Sequence, residues 1–147
     1  MCSKIIIRKA EPNDFNEIIE IWKSENIRVH NFIPIEYWEE NYIVVKNALP
    51  QAEIYVSVYN GKIIAFIGLT DNYIEGIFVK GKYQHKEIGR ELLNKIKEIK
   101  DSLMLKVYKK NGNAVAFYLK NNFVIIDTAI DASTKETEYS MQWRKKF

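Results

Sequence analysis

The most constraining feature of this 147-residue sequence is an Asn-Gly pair, residues 60–61, that separates two apolar runs. In residues 54–58 (IYVSV) aliphatic side chains alternate with Tyr and Ser, and residues 63–68 (IIAFIG) follow the pair. Asn and Gly are the residues that best adopt the positive φ angles required at both central positions of a tight hairpin turn. The sequence therefore predicts an antiparallel β-hairpin here, which the rest of the fold must extend.

Short apolar patterns on either side of the hairpin predict the other elements. Before it come a β-branched strand at 4–8 and two helices, the first opening at Pro12 with apolar side chains three and four residues apart, the second at 36–47. The elements predicted after it are a strand at 73–79, a helix at 88–99, a strand at 103–107, a helix at 114–118, and strands at 123–127 and 138–143. Asn111 or Asn113 is expected to cap the second of these helices, and Asn121 and Asn122 to end it. The order β-α-α-β-β-β-α-β-α-β-β indicates one mixed α/β domain over residues 1–147.

Composition excludes several classes of protein. Basic and acidic residues nearly balance, 22 against 19, so the net charge of +3 gives no support for nucleic-acid binding. Cys2 is the only cysteine, and His30 and His85 lack the spacing of metal ligands, so we expect neither a disulfide nor a metal. No apolar stretch approaches the roughly 20 residues of a membrane span, and the start of the chain does not read as a signal peptide. We therefore expect a cytoplasmic protein with no membrane partner.

Residues 83–93 (YQHKEIGRELL) place a glycine, Gly89, at the start of an amphipathic helix that follows a strand. Four cations surround it, namely Lys80, Lys82, Lys86 and Arg90. Backbone N–H groups at such a turn, together with the helix dipole, form a concavity that suits an anion such as a diphosphate. The alternative is an ordinary helix start with a solvated run of charge, and this stretch by itself leaves both open.

A second pattern, residues 111–123 (NGNAVAFYLKNNF), joins the first in making the chain resemble the GNAT superfamily of acetyl-CoA-dependent N-acetyltransferases, in its small bacterial single-domain type. The first family pattern is Gln or Arg, two residues, Gly, one residue, then Gly or Ala, and here Gln84 and Gly89 match it. The second family pattern is matched by Asn111, Ala114, Phe117, Tyr118 and Phe123. The resemblance covers essentially the whole chain. It implies an α/β (α+β) fold, with a mixed, mostly antiparallel, twisted sheet of six to seven strands flanked by about four helices.

The resemblance also implies a binding site for acetyl-CoA as co-substrate. The strand before the glycine turn is expected to hold the pantetheine arm through main-chain groups, and the Val79 N–H to stabilise the developing oxyanion. The predicted cofactor-binding residues are Ile77, Phe78, Val79, Gln84, His85, Lys86, Glu87, Ile88, Gly89, Arg90, Asn111, Ala114 and Phe117.

Tyr118 is the predicted catalytic acid. Aminolysis of a thioester ejects a thiolate, a phenol is well matched to protonate it, and the family places the equivalent tyrosine beside the cofactor sulfur. The alternative role is a core tyrosine packed beside Phe117. Glu75 is a predicted base for the amine, acting directly or through water, since alternation along the strand puts it on the face of Ile77 and Val79. The alternative is a residue at a buried edge or in solvent.

The loop between the first two helices covers the acceptor site in this superfamily. His30, Phe32 and Trp38 lie in or beside it and are the predicted substrate-binding residues, with a capping or surface role as the alternative for His30. The acceptor is expected to be a small-molecule amine or a protein amine. Terminal strands in this fold often pair between subunits, which makes a homodimer compatible with the sequence.

Glu87 departs from the family pattern, because it stands where the first glycine is expected. A carboxylate close to a diphosphate repels it. If only the backbone N–H is used, the side chain can point to solvent and the site still binds its cofactor. Otherwise the chain is a non-catalytic acyl-CoA-binding relative, which is the second hypothesis for its function.

Overall fold

A computed structural model describes residues 4–146, and Cys2 lies outside the described residues. Seven strands form one sheet in the order β1-β2-β3-β4-β5-β7-β6. The strands are β1 (Ile6–Lys9), β2 (Glu53–Tyr59), β3 (Lys62–Thr70), β4 (Tyr73–Val79), β5 (Ser102–Tyr108), β6 (Val124–Ile130) and β7 (Thr137–Arg144). The helices are α1 (Phe15–Val29), α2 (Ile35–Ala48), α3 (Ile88–Ile99) and α4 (Gly112–Lys120). The predicted element order and the mixed, mostly antiparallel fold class are confirmed.

The predicted hairpin joins β2 to β3. Asn60 has a φ of 51° and Gly61 a φ of 74°, and the flanking residues Tyr59 and Lys62 pair directly. Two consecutive positive φ angles are what a two-residue turn requires if it is to match the twist of its strands. The strand β3 lies inside the sheet, between β2 and β4, and seven consecutive residues of it are buried.

Two apolar cores lie on opposite faces of the sheet. One is formed by α1 with residues of β2 and β3, among them Ile18, Ile19, Val56 and Phe66. The other is formed by α3 and the end of α4 with β3, β4, β5 and β7, among them Leu92, Leu93, Ile96, Leu105 and Phe123. The strand β3 contributes side chains to both cores, Ile63 and Phe66 to the first and Ile64, Ile67 and Leu69 to the second, which is why its interior is buried.

The strands β4 and β5 separate after a short contact. They are the only parallel neighbours in the described sheet, and they pair only where Tyr73 meets Met104 and Ile74 meets Leu105. On its other side β4 pairs with β3 as far as Val79. The end of β4 therefore has ladder partners on one side and an opening on the other.

A β-bulge interrupts β4 at Glu75. Gly76 pairs with Gly68 and Ile74 pairs with Leu69, so Glu75 is the extra residue between two registered pairs. The bulge brings Ile74 onto the α3 side, together with Ile77 and Val79. The prediction that Glu75 shares this face by simple alternation was therefore wrong, because a bulge shifts the alternation by one residue.

Candidate active site

A cavity of about 650 Å³ lies where β4 and β5 separate. Its walls come from the end of β4, the loop that leads into α3, the start of α4 and the end of α1. The predicted site residues that line it are Ile77, Phe78, Val79, Gln84, His85, Glu87, Ile88, Gly89, Arg90, Asn111, Ala114, Phe117, Tyr118 and His30. Thus segments more than 80 residues apart in the chain meet at one opening.

The cavity wall at β4 offers main-chain groups. The Lys80 N–H, directly after β4, donates to Ile64 O of β3 at 2.9 Å. Counting back from Lys80, every second residue of β4 therefore directs its N–H and C=O toward β3. Val79 is one of the alternate residues whose groups point away from β3, and its carbonyl accepts a hydrogen bond from Gln84 Nε2 at 3.1 Å. Because N–H and C=O of one strand residue point to the same side, the Val79 N–H faces the opening.

The loop into α3 has the backbone geometry of an anion cradle. His85 and Glu87 have φ angles of 62° and 65°, in the left-handed region, and α3 begins directly afterwards at Ile88. A left-handed residue followed by a helical one directs successive N–H groups toward a common point. The Glu87 side chain forms an ion pair with Arg90 and is 63% exposed. Lys86 is exposed and lies outside the cavity lining.

Gly89 allows a close approach between three elements. Its φ is not positive, so the backbone conformation does not require glycine here. A Cβ on Gly89 would lie 3.4 Å from Phe117 Cζ and 3.7 Å from Val79 Cγ2. The start of α3 thus packs against both the α4 wall and the β4 wall of the cavity.

Helix α4 carries Tyr118 into the cavity. Asn111, one of the two predicted caps, begins the helix, and its Oδ1 accepts from the Ala114 N–H at 3.3 Å. Tyr118 is 7% exposed and packs between the rings of Phe117 and Phe123. Burial, with a smaller contribution from Tyr73, raises the pKa of the Tyr118 phenol well above its usual value. The hydroxyl therefore stays protonated at ordinary pH.

The α1 wall contains two charged residues that sequence reasoning missed. Glu25 Oε1 accepts from Arg28 Nη2 at 2.6 Å and from Arg28 Nε at 3.1 Å. The same oxygen accepts from Gln84 Nε2 at 3.3 Å, which ties α1 to the loop before α3. The sequence carries one signal of Glu25, which follows Ile18 and Ile21 at the spacing of the apolar face of α1. A carboxylate on a buried face is unusual and points to a specific partner or function.

His30 ends α1 and connects it to α4. Its Nε2 lies 3.2 Å from Asn111 Nδ2, and the Asn111 cap fixes the amide so that nitrogen, not oxygen, faces the ring. Nε2 is therefore the acceptor, and the proton of the neutral ring is on Nδ1. Phe32 and Trp38 pack on His30 with ring centroids at 5.6 and 5.4 Å, so these two predicted residues support the cavity wall without lining it.

Burial lowers the pKa of His30 to about 4, and this gives a testable dependence of stability on pH. The unfolded chain takes up a proton at His30 near its ordinary value, whereas the folded chain does so only at lower pH. Stability is therefore complete above about pH 6.5 and is lost as the pH falls toward the folded value. We expect the free energy of unfolding to drop by about 2 kcal/mol from this residue between about pH 7.5 and about pH 5.

Urea unfolding of the wild type and of His30→Gln at the two pH values measures this contribution. The variant should lose less stability on acidification, since exposed His85 is common to both proteins. Equal losses in the two proteins would contradict a buried, neutral His30.

Glu75 is not brought to the cavity. It is exposed at the bulge and absent from the lining. Within residues 4–146 no group of three His, Cys, Asp or Glu side chains could hold a metal ion. In the same part of the chain no helix combines the length and the apolar character needed to cross a bilayer.

Comparison with known proteins gives consistent matches. The sequence profile of the Acetyltransferase (GNAT) family matches residues 15–123. Peptidyl-lysine N-acetyltransferase YiaC of Escherichia coli (strain K12) is 30% identical over 140 residues, which cover 94% of this chain and 96% of the relative.

Solved structures match over nearly the whole chain. Apo YjaB from Escherichia coli superposes with a TM-score of 0.85 at 23% identity, covering 97% of this chain and 99% of that one. The PaiA N-acetyltransferase from Thermoplasma acidophilum, in complex with coenzyme A, has a TM-score of 0.73 at 25% identity, covering 98% and 99% of the two chains. These similarities confirm the fold.

Proposed function

The chain belongs to the acetyltransferase (GNAT) family, an acyltransferase family that uses acetyl-CoA as co-substrate, and we propose that it acetylates the side-chain amine of peptidyl lysine. The observation that carries the proposal is the meeting of three features at one cavity. These are the free edge of β4, the left-handed turn before α3 and the buried phenol of Tyr118. In the proposed reaction they would bind the pantetheine arm, bind the diphosphate and protonate the leaving thiolate, respectively.

The donor set of the cavity fits acetyl-CoA. An extended pantetheine arm can pair with the free edge of β4 as an added strand would, through groups such as the Val79 N–H. The diphosphate would take the N–H groups of the turn at 85–89, which also lies at the positive end of the α3 dipole. Close packing at Gly89 keeps that turn against the β4 wall.

The chemistry we propose is a direct attack in a ternary complex. The amine nitrogen attacks the acetyl carbonyl, the Val79 N–H stabilises the oxyanion, and Tyr118 protonates the departing thiolate. The raised pKa of Tyr118 keeps its proton in place at ordinary pH, so the phenol is in its acid form when the thiolate departs. Glu75 stays a candidate base only if a bound acceptor reaches it from outside the cavity.

The choice of acceptor rests on the relatives. YiaC and YjaB, of Escherichia coli (strain K12), are both named peptidyl-lysine N-acetyltransferases, and this chain aligns with 94% and 82% of its length to them. The test is release of free coenzyme A thiol from acetyl-CoA in the presence of lysine-containing peptides and of matched peptides with arginine in place of lysine. We expect thiol release and a mass increase on the lysine peptides alone. Binding of acetyl-CoA without turnover on any amine would contradict the proposal and favour the non-catalytic alternative.

Glu87 is the residue on which that alternative depends. Its side chain turns away to Arg90, so the backbone N–H remains available, but the ion pair also offsets one cation of the loop. A non-glycine residue in the left-handed region is strained by about 1 kcal/mol. We expect Glu87→Gly to relieve this strain with or without cofactor and, because it frees Arg90, to lower the Kd of acetyl-CoA about threefold, as measured by calorimetry.

A second left-handed residue provides a matched comparison. His85→Gly relieves the same kind of backbone strain without removing a carboxylate, so its gain in affinity should be smaller. A large loss of acetyl-CoA binding in Glu87→Gly would mean that the glutamate side chain itself takes part in the site.

A further inference from the structure

We propose that Glu25 is the general base, which receives the ammonium group of the acceptor and removes its proton. The inference rests on the proposed function and deepens it, because it assigns the step that the sequence had given to Glu75. Within the described residues only two acidic side chains line the cavity, Glu25 and Glu87. Glu87 is exposed and paired with Arg90, whereas the Glu25 side chain is only 10% exposed.

The geometry of Glu25 leaves one of its oxygens for a donor from the cavity. All hydrogen bonds to its carboxylate from residues 4–146 end on Oε1, two from Arg28 and one from Gln84. These donors fix the orientation of the carboxylate. Oε2 is the position at which an ammonium group can bind.

Glu25 is also placed next to the proposed point of attack. Gln84 Nε2 contacts both Glu25 Oε1, at 3.3 Å, and Val79 O, at 3.1 Å. A single amide group therefore separates the carboxylate from the β4 residue whose N–H would stabilise the oxyanion. An amine bound between Glu25 and Val79 would therefore have the carboxylate on one side and the point of attack on the other, which is the arrangement that a general base needs.

His30 is another candidate base in the cavity lining, and its contacts argue against it. Its acceptor nitrogen, Nε2, already receives the Asn111 amide, which the helix cap holds in place. The rings of Phe32, Trp38 and Tyr108 enclose it, and burial away from water disfavours a charged imidazolium. A carboxylate held by Arg28 has neither obstacle.

The proton balance of the reaction is complete with these groups. The ammonium gives one proton to Glu25, and the free nitrogen lone pair forms the N–C bond to the acetyl carbon. Collapse of the tetrahedral intermediate breaks the C–S bond, and Tyr118 transfers its proton to the thiolate. The second proton of the nitrogen leaves as the amide forms and restores Tyr118 through solvent, while Glu25 releases its proton to water.

The experiment compares two acceptors that differ in whether they need a base. One is a lysine peptide, and the other is the same peptide with a side-chain-fluorinated lysine whose amine is largely neutral at the assay pH. In Glu25→Gln we expect kcat/KM to fall about 10- to 100-fold for the lysine peptide and less than about threefold for the fluorinated one. The Kd of acetyl-CoA should stay within about twofold of the wild type.

Controls separate this role from a structural one. Arg28→Gln keeps the carboxylate but removes its partner, so any loss it causes should be the same for both acceptors. Glu98→Gln makes the same chemical change on an exposed residue of α3 outside the cavity and should change neither rate. Equal losses on both peptides in Glu25→Gln, or no loss, would overturn the proposal. A wild-type protein that binds acetyl-CoA but acetylates neither peptide would instead overturn the proposed function, and the inference with it.

Discussion

Replacing Tyr118 by phenylalanine is expected to lower kcat about 1000-fold while the Kd of acetyl-CoA changes little. The phenol is the one group of α4 that combines cavity exposure with a transferable proton, and its ring is held between Phe117 and Phe123. Phenylalanine keeps that packing and removes only the hydroxyl, so the loss falls on protonation of the thiolate. General acids typically contribute about 10² to 10⁴ in rate.

A neighbouring phenol provides the control for this measurement. Tyr73 lies close enough to Tyr118 to raise its pKa, yet it is not part of the cavity lining. Tyr73→Phe should keep kcat within about twofold of the wild type. Because burial raises the pKa of Tyr118, the wild-type rate should show no alkaline decline from this group in the ordinary assay range. Full turnover by Tyr118→Phe would remove the acid role and leave the tyrosine as a packing residue.

The features predicted correctly are those that local residue patterns determine. The turn at Asn60 and Gly61 was predictable because it requires positive φ angles at two adjacent residues, and these two residue types adopt them readily. The cap of α4 was narrowed to two asparagines, since an Asn side chain accepts a backbone N–H two or three residues later, and Asn111 makes that bond. Element order and fold class followed from such signals added along the chain.

The features that were missed depend on contacts between distant segments. The bulge at Glu75 depends on the register of β4 against β3, and the sequence of β4 alone does not predict it. Glu25 acquires its place only because α1 passes the end of β4, where Gln84 reaches it across 59 positions of sequence. The contact between His30 and Asn111 spans 81 positions and likewise could not be read from either segment. Site geometry here is a property of packing, which motif spacing does not encode.

The second large effect is expected at Gly89, where a leucine should raise the Kd of acetyl-CoA more than about a hundredfold. A Cβ at this position would already contact Phe117 at 3.4 Å and Val79 at 3.7 Å. The further carbons of leucine must then either displace Phe117 or enter the opening between β4 and α4, and both changes alter the cavity. Overpacking of this kind typically costs about 1 to 3 kcal/mol in stability as well.

Alanine at the same position shows whether the effect of leucine comes from its bulk or from the loss of glycine itself. Its single methyl group fits at ordinary contact distance, and Gly89 has no positive φ that alanine would strain, so Gly89→Ala should keep acetyl-CoA affinity within a few-fold. Calorimetric titration of both variants, after their folding is checked by thermal unfolding, gives the comparison. If a well-folded Gly89→Leu binds acetyl-CoA as tightly as the alanine variant, the cofactor does not occupy the opening beside the start of α3. The family pattern would then mark a packing contact between α3 and α4 rather than a wall of the binding site.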